Sequence, residues 1–142
     1  MKYFLDTNVI IEILNQNEKA ISKLQEILDN DENFIFINRL VVLEVLRTIP
    51  VKNKKIFKYS KSFVDNFEAI DIVPEIYLKT IEFSRFFRTI KHQKLKGSCE
   101  AIDLLHFVTA KYYELEIISF DKDFERLEII YNEFDKYKMA EK

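Results

Sequence analysis

The stretch YFLDTNVIIEIL, residues 3–14, places three polar residues between two apolar runs. Its first part is typical of a short buried strand, because the apolar residues are followed at once by residues that favour turns. The apolar residues after Asn8 recur at helical spacing, so a helix is predicted to begin there. A strand that passes directly into a helix predicts an α/β fold, and Asp6 stands at the junction.

The alternation of strand and helix continues along the chain. Further strands are predicted at 33–38, 69–73 and 115–120, and a last short strand at 127–131, after a helical turn. Such alternation favours a parallel sheet covered on both faces. We therefore predict one domain, residues 1–142, with a three-layer α/β/α fold around a mostly parallel central sheet of four to five strands. The tail after about residue 132 is expected to be frayed or helical.

Length and composition exclude several classes of protein. The 142 residues are 48% apolar, which is enough for a hydrophobic core, and Cys99 is the single cysteine. One cysteine excludes an internal disulfide and a cysteine-based zinc cluster. The chain has no 18-residue apolar run and no signal-peptide pattern, so a soluble, cytoplasmic protein without a membrane partner is expected.

The net charge of −2 conceals a strong segregation of charge. Residues 45–64 and 83–99 contain no acid and hold half of the 22 basic residues. This pattern fits a protein that binds an anionic polymer beside an acidic, cation-binding centre. The predicted phosphate contacts in the second window are Arg85, Arg88, Lys91, Lys94 and Lys96. A solvated helix face explains the same pattern without any function.

Four acids stand at positions where a carboxylate needs an explanation. Asp6 and Asp121 directly follow predicted strands, whereas Glu44 and Asp103 lie in apolar helical segments. Three of them have a structural alternative: Asp6 and Asp103 would stabilise helix N-termini, and Glu44 would pair with Arg47. The helix over 38–48 is apolar almost all round and is expected to be buried, which makes an unpaired Glu44 costly.

Taken together, the four acids predict a metal centre. If the two strands are neighbours, all four carboxylates can meet at one edge of the sheet, where functional groups of open α/β sheets collect. Clustered carboxylates repel one another and require a counterion. Oxygen ligands without a cysteine or histidine cluster select Mg²⁺ or Mn²⁺. Such ions promote the hydrolysis of phosphodiester bonds. Ser119 is expected to hydrogen-bond a bound water or a neighbouring carboxylate.

The segments FLDTNVII, VVLEVLR, AIDLLHFVTA and IISFDKDF, in this order, resemble the motifs of PIN-domain ribonucleases. Among these the chain is most similar to the VapC-type toxins of type II toxin–antitoxin pairs, and the resemblance covers essentially its whole length. It implies a metal-binding, catalytic quartet of Asp6, Glu44, Asp103 and Asp121. Supporting roles fall to Thr7, Asn8 and Ser119. It also implies Mg²⁺- or Mn²⁺-dependent cleavage of RNA, a homodimer, and inhibition by a cognate antitoxin protein.

Other interpretations remain open at this point. A phospho-receiver domain needs adjacent acids after its first strand, where this chain has Asp6 alone. A haloacid-dehalogenase-type phosphatase needs an acid at the position of Asn8. A housekeeping RNA-processing enzyme, or a non-catalytic RNA-binding or scaffolding relative, would keep the same fold. His106, one turn after Asp103, would either pack in the core or face the acidic site.

Overall fold

The computed structural model describes residues 1–90 and 100–141 of the chain. The elements in order are β1 (Lys2–Leu5), α1 (Thr7–Leu14), α2 (Glu18–Leu28), β2 (Phe34–Asn38), α3 (Arg39–Leu46), α4 (Lys54–Val64), β3 (Glu68–Ile70), α5 (Pro74–Thr89), α6 (Glu100–Tyr112), β4 (Glu116–Ile118) and α7 (Asp123–Ala140). The strands form one parallel sheet in the order β3-β2-β1-β4. The predicted fold class, a three-layer α/β/α domain with a parallel sheet of four to five strands, is confirmed.

The contacts divide the chain into two compact units. The first unit, Met1–Asp71 with Glu114–Phe120, contains the sheet and helices α1 to α4. Its centre is apolar, because Phe4 and Leu5 of the middle strand β1 are fully buried. Asparagines begin three of its helices: the side chains of Asn17, Asn38 and Asn53 accept hydrogen bonds from backbone N–H groups of α2, α3 and α4. These caps satisfy donors that a helix N-terminus leaves without partners.

The second unit, Ile72–Tyr113 with Asp121–Lys142, contains α5, α6 and α7. Pro74 occupies the first turn of α5, where its missing N–H costs nothing. An aromatic cluster joins the three helices: the ring of Phe83 on α5 lies 5.9 Å from that of Phe107 on α6 and 5.1 Å from that of Tyr131 on α7. Phe134 lies 5.5 Å from Phe83 in the same cluster. Such ring contacts add to the hydrophobic stabilisation of a core.

The predicted last strand at 127–131 is wrong, and the short helical turn predicted before it is the first turn of a longer helix. Both belong to α7, in which Leu127, Ile130, Tyr131 and Phe134 are buried. Their spacing of three, four and seven residues is that of one helix face. The segment 127–131 holds four apolar residues and Glu128, and so short a segment cannot be assigned to strand or helix without the residues that follow it. The chain beyond residue 132 continues this helix.

The expectation that α3 is buried all round is also wrong. Only Val41 and Val45 of this helix are buried, whereas Leu43 is 58% exposed and Glu44 is half-buried. A helix that packs through one face buries residues four apart and leaves the opposite side in solvent. None of the helices in the described ranges is both long and apolar enough to cross a membrane.

Candidate metal-binding active site

Asp6 and Ser119 are brought together by the register of the sheet. Strands β1 and β4 are parallel neighbours, and Leu5 pairs with Ile118 at their carboxyl ends. The next residue along each chain segment therefore lies beside the other. The backbone N–H of Asp6 extends this pairing by donating to the carbonyl oxygen of Ile118 at 3.0 Å.

The carboxylate of Asp6 is supported by a chain of hydrogen bonds. The Oγ of Ser119 donates to Oδ2 of Asp6 at 2.9 Å, and Nδ2 of Asn8 donates to the same Oγ at 3.2 Å. Oγ of Ser119 also lies 3.4 Å from Oδ1 of Asn8, but its single proton goes to the closer, ionised acceptor. Asp6 is 5% exposed and begins α1 without a side-chain cap bond. Its side chain therefore faces Ser119 rather than the end of its own helix.

Glu44 is connected to the start of α1 by a hydrogen bond from Thr7. The Oγ1 of Thr7 donates to Oε1 of Glu44 at 2.8 Å, and α1 packs against α3 in this region. Because Thr7 directly follows Asp6, the residue that carries one carboxylate and the residue that binds the other are neighbours at the start of α1. The sequence predicted supporting roles for Thr7, Asn8 and Ser119, but it gave no reason to connect Thr7 with an acid 37 residues away.

Asp121 has a structural contact within the second unit. Its Oδ1 accepts the backbone N–H of Asp123 at 2.9 Å, and its carbonyl oxygen lies 3.4 Å from the N–H of Phe124. Asp121 therefore shapes the turn that begins α7, as turn-forming aspartates do. Asp123 itself is buried, and its carboxylate lies 3.6 Å from the guanidinium of Arg126.

Asp103 lies in the first turn of α6 and is half-buried. That position is favourable for a carboxylate, because the N-terminal end of a helix carries a partial positive charge. His106, one turn further, is buried in the core of this unit together with its neighbours Leu105 and Phe107.

The structure describes two of the five residues predicted to contact phosphates. Arg85 and Arg88 are exposed on α5, and Arg85 lines a groove of about 470 Å³ between α5 and α7 together with Phe86 and Tyr137. Both arginines are one turn apart and are accessible to a polyanion. The other predicted contacts, Lys91, Lys94 and Lys96, lie outside the described residues.

The donor set of the sheet edge fits a hard divalent cation. Asp6 and Glu44 offer carboxylate oxygens, and each accepts a hydrogen bond from a hydroxyl group, that of Ser119 and that of Thr7 respectively. Oxygen-only donors suit Mg²⁺ and Mn²⁺. Within residues 1–90 and 100–141, no three histidine, cysteine, aspartate or glutamate side chains form a group that could hold a metal ion. The convergence of Asp6, Glu44, Asp103 and Asp121 therefore stays a prediction.

These features define a parallel α/β protein in which Asp6, at the carboxyl end of β1, accepts a hydrogen bond from Ser119, at the carboxyl end of β4. The family model of the PIN domain matches residues 3–130, and the chain belongs to the PIN domain family. Members of this family are generally nucleases that use divalent metal ions.

Solved structures share this fold. A toxin–antitoxin complex from Klebsiella pneumoniae contains a chain that is 18% identical, with a TM-score of 0.64; the match covers 84% of this protein and 87% of that chain. VapBC2 from Rickettsia felis, bound to a DNA fragment from its promoter, contains a chain that is 21% identical, with a TM-score of 0.69. That match covers 89% of this protein and 93% of the other chain. No curated protein sequence matches the chain significantly.

Proposed function

We propose that the protein is a metal-dependent endoribonuclease and the toxin of a toxin–antitoxin pair. The observation that carries the proposal is the hydrogen-bonded junction at the ends of β1 and β4, where Ser119 supports Asp6 and Thr7 supports Glu44. The hydroxyl partner of Asp6 comes from the residue that follows β4, 113 positions along the chain, so the support of this carboxylate depends on the folded sheet. Membership of a family of nucleases supports the same function.

In this proposal Asp6, Glu44, Asp103 and Asp121 hold Mg²⁺ or Mn²⁺. When bound, the ion lowers the pKa of a water and offsets negative charge at the phosphate. The chain's own contribution is positioning. Ser119 fixes the orientation of the Asp6 carboxylate, and Thr7 fixes that of Glu44, so that both present oxygens without a further loss of side-chain freedom.

The substrate is proposed to be RNA, held through its phosphates by the basic residues of the second unit. The exposed Arg85 and Arg88 support this assignment, because guanidinium groups bind phosphate in a fixed geometry. Lys91, Lys94 and Lys96, which lie outside the described residues, are proposed as further phosphate contacts on the basis of their charge. The reaction is hydrolysis of a phosphodiester bond by in-line attack of water.

The toxin assignment is supported by the two structural neighbours, both of which are toxin–antitoxin complexes. By this proposal the protein forms a homodimer in the cytoplasm and is inhibited by an antitoxin protein that covers its acidic site. A housekeeping RNA-processing enzyme is the second candidate, because its catalytic residues would be the same.

Cleavage of a defined RNA tests the nuclease proposal. The purified protein should cut single-stranded RNA in Mg²⁺ or Mn²⁺ and stop in chelator, and Asp6→Asn should remove the activity. Asp65→Asn is a matched control, because Asp65 is exposed and paired with Lys61 at the end of α4. Equal cleavage by wild type and Asp6→Asn would contradict the proposal. Arrest of growth on expression, dependent on Asp6, separates a toxin from a processing enzyme.

A further inference from the structure

A partly exposed aromatic ring belongs to the residue that follows Ser119, whose hydroxyl donates to Asp6. Phe120 follows Ser119 in the chain and is 38% exposed. Its backbone N–H lies 3.4 Å from Oδ1 of Asn8, the residue whose amide also donates to Ser119. The main chain of Phe120 is therefore tied to the same set of contacts that orients Asp6.

A cation accompanies this ring. The Nζ of Lys19 lies 5.7 Å from the centroid of the Phe120 ring, within the range of a cation–π contact. Lys19 is exposed in the first turn of α2, where a positive charge is disfavoured by the helix dipole. Its position is thus not explained by stabilisation of α2. Together, Phe120 and Lys19 offer an apolar face and a positive charge at the residue that follows Ser119, the hydrogen-bond partner of Asp6.

We propose that Phe120 and Lys19 bind the nucleotide beside the scissile phosphate, with the base stacked on the ring and Lys19 paired with a phosphate. This inference rests on the proposed nuclease function. An aromatic ring beside a cation is the combination by which proteins hold single-stranded nucleic acid, because every base has a face that can stack. Stacked neighbours cover those faces in a duplex. The substrate is therefore RNA with an unpaired nucleotide at the cleavage site.

Binding can be tested separately from cleavage. In an Asp6→Asn background, the affinity for a fluorescently labelled single-stranded RNA of eight nucleotides is measured by anisotropy. Phe120→Leu, which keeps an apolar side chain but removes the ring, should raise the Kd by about tenfold, whereas Phe120→Trp should retain wild-type affinity. Phe34→Leu is the matched control. Phe34 is 56% exposed and begins β2, at the amino ends of the parallel strands, whereas Phe120 follows the carboxyl end of β4.

The charge of Lys19 has its own test. Lys19→Gln should weaken binding and reduce the slope of log Kd against log salt by about one, because one phosphate contact is lost. Lys2→Gln, at the amino end of β1, should leave the slope unchanged. In the active protein, Phe120→Leu should raise KM more than it lowers kcat. Melting temperatures verify that each variant is folded.

Two results would overturn the inference. One is equal RNA affinity for Phe120→Leu and Phe120→Trp; the other is equal affinity of the Asp6→Asn protein for a perfect duplex and for the single strand. A wild-type protein that binds single-stranded RNA through Phe120 but never cleaves it would instead contradict the proposed function, and only the stacking of a base on Phe120 would remain of this inference.

Discussion

The side-chain hydroxyl of Ser119 donates a hydrogen bond to the carboxylate of Asp6 across 2.9 Å, although the two residues are 113 positions apart in the chain. The contact exists because Leu5 and Ile118 pair at the ends of adjacent parallel strands. Sheet register, rather than any local sequence feature, thus places a hydroxyl beside a buried acid. Such contacts orient functional carboxylates in metal-dependent enzymes.

Ser119→Ala should weaken both stability and cleavage. The substitution removes the donor to Asp6 and the acceptor of the Asn8 amide. A hydrogen bond to a charged group contributes about 1.5–3 kcal/mol, so the free energy of unfolding in urea should fall by about that amount. Cleavage should fall about tenfold, as is typical when a ligand-orienting contact is lost. Ser119→Thr retains the hydroxyl and should stay close to wild type; a loss as large as that of the alanine variant would show that bulk, not hydrogen bonding, matters at this position.

Thr7→Val should act on metal use more than on folding. Valine has nearly the shape of threonine but cannot donate the 2.8 Å hydrogen bond to Oε1 of Glu44. The Mg²⁺ concentration that gives half-maximal cleavage should rise about tenfold, with a smaller change in the maximal rate. Thr7→Ser, which keeps the donor, is the control. Identical Mg²⁺ titrations for the valine variant and wild type would show that Thr7 does not orient Glu44 for metal binding.

Asp103→Asn should abolish cleavage without loss of stability. Asparagine removes one negative charge from the proposed cluster, so the melting temperature in chelator should be unchanged or higher. Glu100→Gln is a matched control, since Glu100 is the other acid in the first turn of α6 and interacts with the same helix end. A large fall in melting temperature for Asp103→Asn alone would indicate a structural role for this carboxylate.

Phe83→Ala should unfold much of the second unit. Phe83 is fully buried and contacts the rings of Phe107, Tyr131 and Phe134. Loss of a buried phenylalanine side chain typically costs about 3–5 kcal/mol, which includes the cavity that remains. Urea unfolding measures the change. Phe83→Leu should cost clearly less, and a cost of under 1 kcal/mol for the alanine variant would contradict the central position of this ring.

The sequence predicted the fold where apolar runs and turn residues alternate clearly. The passage from β1 through Asp6 into α1 is an example, and so is the helix that begins after Asn38. The segment at 127–131 is predicted as a strand because its apolar residues are few. The buried face formed by Leu127, Ile130 and Tyr131 is recognised as that of a helix when Phe134 is included. A five-residue window is too short to reveal a period of 3.6 residues.

The sequence indicates which residues are candidates for the site, but not which contacts those residues make. The four acids were selected because charged residues interrupt apolar segments, which is a local signal. The bond between Thr7 and Glu44 depends on how α1 packs against α3, and no pattern in either segment encodes it. The role of Phe120 likewise has no signal in the sequence. An aromatic residue at the end of an apolar segment indicates core packing, and the exposure of Phe120 follows only from the tertiary structure.

Titration of Mn²⁺ by calorimetry tests most directly whether the acids of this chain share an ion. The wild-type protein should bind Mn²⁺, and neutralising any one of Asp6, Glu44, Asp103 or Asp121 should weaken binding by about tenfold or more, as expected when a metal site loses a charged ligand. Asp65→Asn should bind as wild type does. Unchanged affinity in the Asp6→Asn and Glu44→Gln proteins, or no binding by the wild type, would contradict a metal-dependent nuclease.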